Sequence, residues 1–274
     1  YLSLVRKTYM NPQRLYKYLD FNEGSLKAIS DATLKFTSPK DFNDPFDCLA
    51  SYSDDFVNLS IKNQREHLYR ASDNKKLSPA NKLMAGVRAM RRAKSNIQDG
   101  GIFSPLRDSD IGVLSLSSNK DNLLMWSHYC RHHTGFVLEF EPEWYGPRSA
   151  LETPEIRLNS LVALEVNYSS DRPVLQGKEN ASQKLDKLLL TKSIDWEYES
   201  EFRVIDNFRK AGIHPYKRKL LKGVYAGAKM GINELKTLKE IIVSANYKHS
   251  LNIQAFQMDL QRYSFSLVEH EIQL

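Results

Sequence analysis

Short runs of alternating, β-branched or aromatic residues recur along the chain, and helical runs separate them at irregular intervals. "LYKYLDF" (15–21), "TLKFTSP" (33–39), "IGVLSLSS" (111–118), "TGFVLEFEP" (134–142), "LVALEVNY" (161–168), "ESEFRVID" (199–206) and "LKGVYAG" (221–227) read as strands, and "AFQMDL" with "SFSLVEHEI" as a closing strand pair. Helical spacing marks "EGSLKAISDA" with Ser25 as cap, "NKDNLLMWSHYC" with Asn119 or Asp121 as cap, "SQKLDKLLLTKSI" and "NELKTLKEIIVSA". This order lacks a regular β–α–β alternation. It predicts an α+β fold: a single domain over 1–274 with a mixed or antiparallel sheet core and a helical insertion at about 58–98.

The insertion carries most of the clustered positive charge. In "SPANKLMAGVRAMRRAKSNI", Ser78 is placed as N-cap and Pro79 at the first helical position, while Leu83, Val87 and Met90 recur at helical spacing. Arg88, Arg91 and Arg92 are candidate nucleic-acid contacts, against the alternative of a solvated helix face. Over the whole chain, 39 Lys and Arg stand against 33 Asp and Glu, a net charge of +6. That excess suits a nucleotide or nucleic-acid partner without requiring one.

Two cysteines in 274 residues rule out a disulfide framework. With no apolar run near the roughly 18 residues of a membrane span, and no basic start and apolar core in "YLSLVRKTYMNPQ", the expected setting is the cytoplasm, away from membranes. Turn chemistry concentrates in "KDFNDPFDC", where Phe42 and Phe46 flank Asn43, Asp44 and Pro45 as expected anchors.

G-x-G-x-x-G, Walker A and H-E-x-x-H patterns are all missing. "HYCRHH" places His128 and His132 four apart, but histidines at a helix end also cap carbonyls, and no metal is expected. In the same segment, Trp126, His128 and Tyr129 offer an aromatic wall and an imidazole that could stack a nucleobase or nicotinamide.

"SIDWEYESEFRVID" is the most acidic stretch. Read as an alternating strand, it puts Glu197, Glu199, Glu201 and Arg203 on one face and Trp196, Tyr198, Phe202 and Val204 on the other. Three carboxylates on one face repel unless screened. One of them turned into a cleft could serve as a general base or stabilise a developing positive charge, as in glycosyl transfer.

"LYKYLDFNEGSL", "LKFTSPKDFNDPFDC", "LSLSSNKDNLLMWSHYCRHHTGFVLEF" and "WEYESEFRV" together resemble the blocks of the bacterial domain of unknown function 2971 (DUF2971). Behind that lies a fainter similarity to ADP-ribosyltransferase domains, in the order "LYKY", "SLKAIS", "LKFTSP", "ESEFRVI". This similarity implies an ADP-ribosyltransferase-like sheet and NAD as substrate. It places Lys17, with Tyr16 beside it, where a His or Arg would hold the nicotinamide ribose. Thr37 or Ser38 falls at the middle element, and Glu201 at the catalytic carboxylate, with Glu199 as runner-up. Trp126, His128 and Tyr129 become pocket walls. Lysine at position 17 departs from the His or Arg pattern.

The expected function is therefore an NAD-dependent ADP-ribosyltransferase or NAD glycohydrolase of defence or toxin type, acting on a nucleic-acid or protein acceptor. The rivals are a nucleic-acid-directed effector (nuclease or RNA binder) and a catalytically silent binding module.

Overall fold

The computed structural model describes residues 12–72, 78–98, 111–143, 159–206 and 209–274. The fold is α+β with a large mixed sheet, as the pattern of short strands and helices requires. Where the sequence suggests one domain, the chain gathers into two compact units: Tyr1–Thr37, Gly112–Val166 and Asp195–Leu274 form the first, Ser38–Ile111 and Asn167–Ile194 the second.

An eight-stranded sheet organises the first unit. Its strands are β1 (Leu15–Leu19), β4 (Gly112–Ser117), β5 (Phe136–Phe140), β6 (Ala163–Glu165), β10 (Glu201–Asp206), β12 (Leu221–Ala226), β13 (Gln254–Leu260) and β14 (Leu267–Glu271). They lie in the order β14-β13-β12-β5-β1-β4-β10-β6. All neighbours run antiparallel except β12 and β13, which are parallel and joined through helix α6 (Ile232–His249). A separate pair, β2 (Thr33–Phe36) with β11 (Gly212–Pro215), belongs to the same unit.

Alternation gives the sheet two buried faces. One packs Leu15, Leu114, Leu138, Phe140 and Val224 with Ala28 and Ile29 of α1 (Glu23–Ser30) and Leu238 and Ile242 of α6. The other packs Tyr18, Val137, Tyr225 and Met258 with Met125 and Trp126 of α4 (Leu123–Tyr129). A chain buried this way draws its stability mainly from apolar area removed from water.

The second unit holds α2 (Asp54–Ser72) packed on α3 (Pro79–Gln98), α5 (Ala181–Leu189), and the short pairs β3 (Ser51–Tyr52) with β8 (Val174–Leu175) and β7 (Asn167–Ser169) with β9 (Thr191–Ser193). Ser78 caps α3 as its position predicts, its hydroxyl accepting from the Asn81 N–H. Leu83 and Val87, however, are exposed rather than turned into a core. Phe46 is likewise exposed instead of anchoring its turn, with the Arg172 guanidinium over its ring.

Several local expectations shift because a nearer polar group wins. Asn22, not Ser25, caps α1: its side chain accepts from the Ser25 N–H. Asn122, not Asn119 or Asp121, caps α4. "LVALEVNY" is cut into β6 and β7, since the Val166 N–H bonds to Glu201 and the Asn167 N–H to Leu190. "SQKLDKLLLTKSI" stops being helical at Leu189 and ends as β9.

Candidate functional site

Three strands place the acidic cluster. On β4, Ser117 is opposed on one side by Tyr16 of β1 and on the other by Glu201 of β10, so the three side chains line one row across the sheet. Two positions along, Arg203 opposes Ser115.

Before β10 the chain is not a strand. Ile194–Glu199 forms a 3-10 turn, and Ser200 (φ 46°) takes the left-handed conformation that joins it to β10. The expected alternation of Trp196 and Tyr198 against Glu197 and Glu199 is therefore corrected. A 3-10 turn advances three residues per turn, and Glu197 stays exposed while Glu199 is buried. The alternation does hold for Glu201 and Arg203, which lie on one face of β10.

Arg203 is 0% exposed and Glu201 3% exposed, so neither charge can rely on water. Arg203 Nε donates to Glu201 Oε1 at 2.9 Å, and Nη2 donates to Oε2 at 3.0 Å. This is the bidentate fork that a guanidinium makes with a carboxylate. Glu199 is held separately. Its Oε1 accepts from the Tyr129 hydroxyl at 2.6 Å, and its backbone carbonyl accepts from the Ser117 hydroxyl at 2.6 Å.

Asn122 couples helix α4 to this turn. Its side-chain oxygen accepts from the N–H groups of Leu124 and Met125, while its amide donates to the Tyr198 carbonyl at 3.0 Å. One residue both starts the helix that carries Tyr129 and fixes the turn that carries Glu199.

Lys17 sits at the point where β1 leaves β4. β1 pairs with β5 along its whole length but is in register with β4 at Tyr16↔Ser117 alone. By alternation Lys17 belongs to the row of Leu15 and Leu138, yet its ammonium donates to the Ser115 carbonyl at 2.9 Å. Burial pulls its pKa below the usual lysine value, against the upward pull of Glu201 and then Glu199. The structure thus brings Lys17, Glu199 and Glu201 into one electrostatic neighbourhood.

The remaining candidates are distributed differently. Trp126 is wholly buried in the second core, its indole N–H donating to the Lys120 carbonyl and its ring edge-on to Tyr18 at 5.6 Å. His128 is exposed, with its ring 6.4 Å from both Tyr129 and Tyr198. Tyr16 is edge-on to Tyr225, and its phenol is pushed up to about 12 by burial and then by Glu139. Ser38 is buried in the second unit. Arg88, Arg91 and Arg92 are exposed on α3 of that unit.

His132 lies beyond the end of α4 with φ 58°, so the helical i, i+4 spacing from His128 does not hold. Among the described residues, no group of three or more His, Cys, Asp or Glu could hold a metal ion.

Sequence reading missed Ser117 and Asn122. The signal for Asn122 was present: an Asn directly before the apolar run "LLMW" is an N-cap pattern. Nothing local marks Ser117, whose role depends on strand pairing.

No curated protein and no solved structure matches the chain. Residues 125–204, from α4 through most of β10, match the model of a family described as "Protein of unknown function (DUF2971)". That is the family whose sequence blocks the chain resembles, and the match covers 80 of its 274 residues.

Proposed function

We propose that this chain is an ADP-ribosyltransferase-like enzyme that consumes NAD, with Glu201 and Glu199 as its working carboxylates. The observation that carries the reading is geometric: the buried Glu201–Arg203 fork and the Tyr129-held Glu199 gather where β10 meets β4, the strand whose Ser115 carbonyl accepts from the Lys17 ammonium. In this reading the sheet around β1, β4 and β10 serves as an ADP-ribosyltransferase-like core.

Arg203 fixes Glu201 in orientation through both carboxylate oxygens. A fixed carboxylate in a dry setting stabilises positive charge developing at the ribose carbon as its bond to nicotinamide breaks. The acceptor or water then takes that carbon. The Tyr129 hydroxyl orients Glu199 in the same way. With Trp126 committed to the core, ring contacts fall to Tyr129, His128 and Tyr198. The setting is cytoplasmic, and the acceptor is a nucleic acid or a protein.

Incubating the purified chain with NAD and following nicotinamide release tests this. Release that is lost in Glu201→Gln or Glu199→Gln, with the fold retained by circular dichroism, supports it. No release with any acceptor, together with no NAD binding by calorimetry, overturns it.

The exposed Arg88, Arg91 and Arg92 favour a second reading, a nucleic-acid-directed effector. Binding to single-stranded RNA or DNA would then weaken steeply as salt rises, and replacing the three arginines would flatten that slope. Binding that ignores salt removes this reading.

A further inference from the structure

Where α4 gives way to β5, the segment "CRHHTG" turns back on itself with three successive residues in the left-handed region: Arg131 (φ 45°), His132 (φ 58°) and His133 (φ 69°). The ordinary explanation for basic residues here is capping of the helix carbonyls. Backbone groups already do that work. The N–H of His132 bonds to Ser127, that of His133 to Trp126, and those of Thr134 and Gly135 to Cys130. The side chains of Arg131 and His132 take no part in it.

A lysine is brought alongside from just beyond β12. The Lys229 N–H donates to the His133 carbonyl at 2.9 Å. Among the described residues, the side chains of Arg131, His132 and Lys229 make no hydrogen bond or ion pair. The His133 ring lies flat over Trp126 at 6.2 Å, and its Nδ1 is buried with no hydrogen-bond partner. Burial, then Lys229, then His132 all pull the His133 pKa down, and no carboxylate figures among its causes. Basic side chains are gathered here beside a polar atom that lacks a partner.

We propose that Arg131, His132, His133 and Lys229 form an oxyanion site that takes a phosphate or diphosphate group. Such a group offers several acceptor oxygens to the Arg131 fork and the Lys229 ammonium, and it supplies the partner that His133 Nδ1 lacks. The proposal is independent of the carboxylate reading, because none of its four residues belongs to that cluster.

The full chain is titrated at low salt with inorganic diphosphate, and in a parallel arm with ADP, while the imidazole nitrogens are followed by NMR. Saturable movement of the His133 signals is expected with diphosphate. Arg131→Ala and Lys229→Ala should each weaken binding at least tenfold, and Lys236→Ala, at an exposed position of α6, should leave it unchanged. Tighter binding of ADP assigns the site to a nucleotide phosphate, and equal binding assigns it to the free oxyanion. The proposal fails if the signals do not saturate at millimolar diphosphate. It also fails if the movement persists in the Arg131→Ala/Lys229→Ala double variant. Both changes are at exposed side chains, so the variants should fold.

Discussion

Arg203 grips both carboxylate oxygens of Glu201, at 2.9 and 3.0 Å, although the two residues are only two positions apart on the same strand. Pairing two positions apart on one strand sets a charge and its counter-charge on the same face. Because both are buried, the pair is costly to break and much less costly to remove together.

Arg203→Met should therefore destabilise the fold by about 3–5 kcal/mol, since it strips the guanidinium fork from a buried carboxylate. The double variant Glu201→Met/Arg203→Met should lose clearly less than the sum of the two single changes. Urea unfolding of the three variants measures this, and strict additivity would refute the coupling.

Tyr129→Phe removes the hydroxyl that Glu199 Oε1 accepts at 2.6 Å. A hydrogen bond to a buried charged group contributes about 1.5–3 kcal/mol, and we expect a loss in that range. If Glu199 works in NAD consumption, nicotinamide release should fall more than the loss of folded protein accounts for. Unchanged stability and unchanged release would show that the phenol is a bystander.

Lys17 should leave a mark on the pH dependence of stability. Its folded pKa lies below the unfolded value of 10.5, with burial as the largest cause. Between the two values the unfolded chain holds a proton that the folded chain does not, so stability rises with pH across that window. Below the folded value the cost of burying the charged ammonium is present in full. Lys17→Met lacks the titration, so its stability should rise less as pH climbs toward 10.5. The buried tyrosines and Cys130 titrate in both proteins, and the difference between the two isolates position 17. Equal slopes would sink the assignment.

Gly227 tests the packing that holds the "CRHHTG" turn. A Cβ there would overlap the carbonyl oxygens of His133 and Gly135, both of them backbone atoms unable to swing away. Gly227→Ala should cost about 1–3 kcal/mol through forced displacement. Gly223, four residues earlier on β12, would meet only ordinary contacts at 3.5 Å. Gly223→Ala should stay within about 1 kcal/mol. Thermal melts of the two variants give the comparison, and similar losses would contradict it.

Local sequence was enough to locate β1, β4, β5, β12 and the β13–β14 pair, because alternation and β-branching act within a few residues. It also put Glu201 and Arg203 on one face, since side chains two apart on a strand must share one. It did not show that Glu199 belongs to a 3-10 turn. Nor did it show that Tyr129, 70 positions earlier, would hold the Glu199 carboxylate. That Trp126 would be core rather than pocket wall was hidden too, because an aromatic run has the same composition in either role. The row Tyr16–Ser117–Glu201, the departure of β1 from β4 at Lys17, and the gathering of Lys229 beside His133 all depend on which distant segments lie side by side. Short-range periodicity says which residues of an element face inward, whereas the choice of neighbour is made by burial and pairing over the whole chain. The acids and bases were therefore legible in the sequence, but their partners were decided only by tertiary structure.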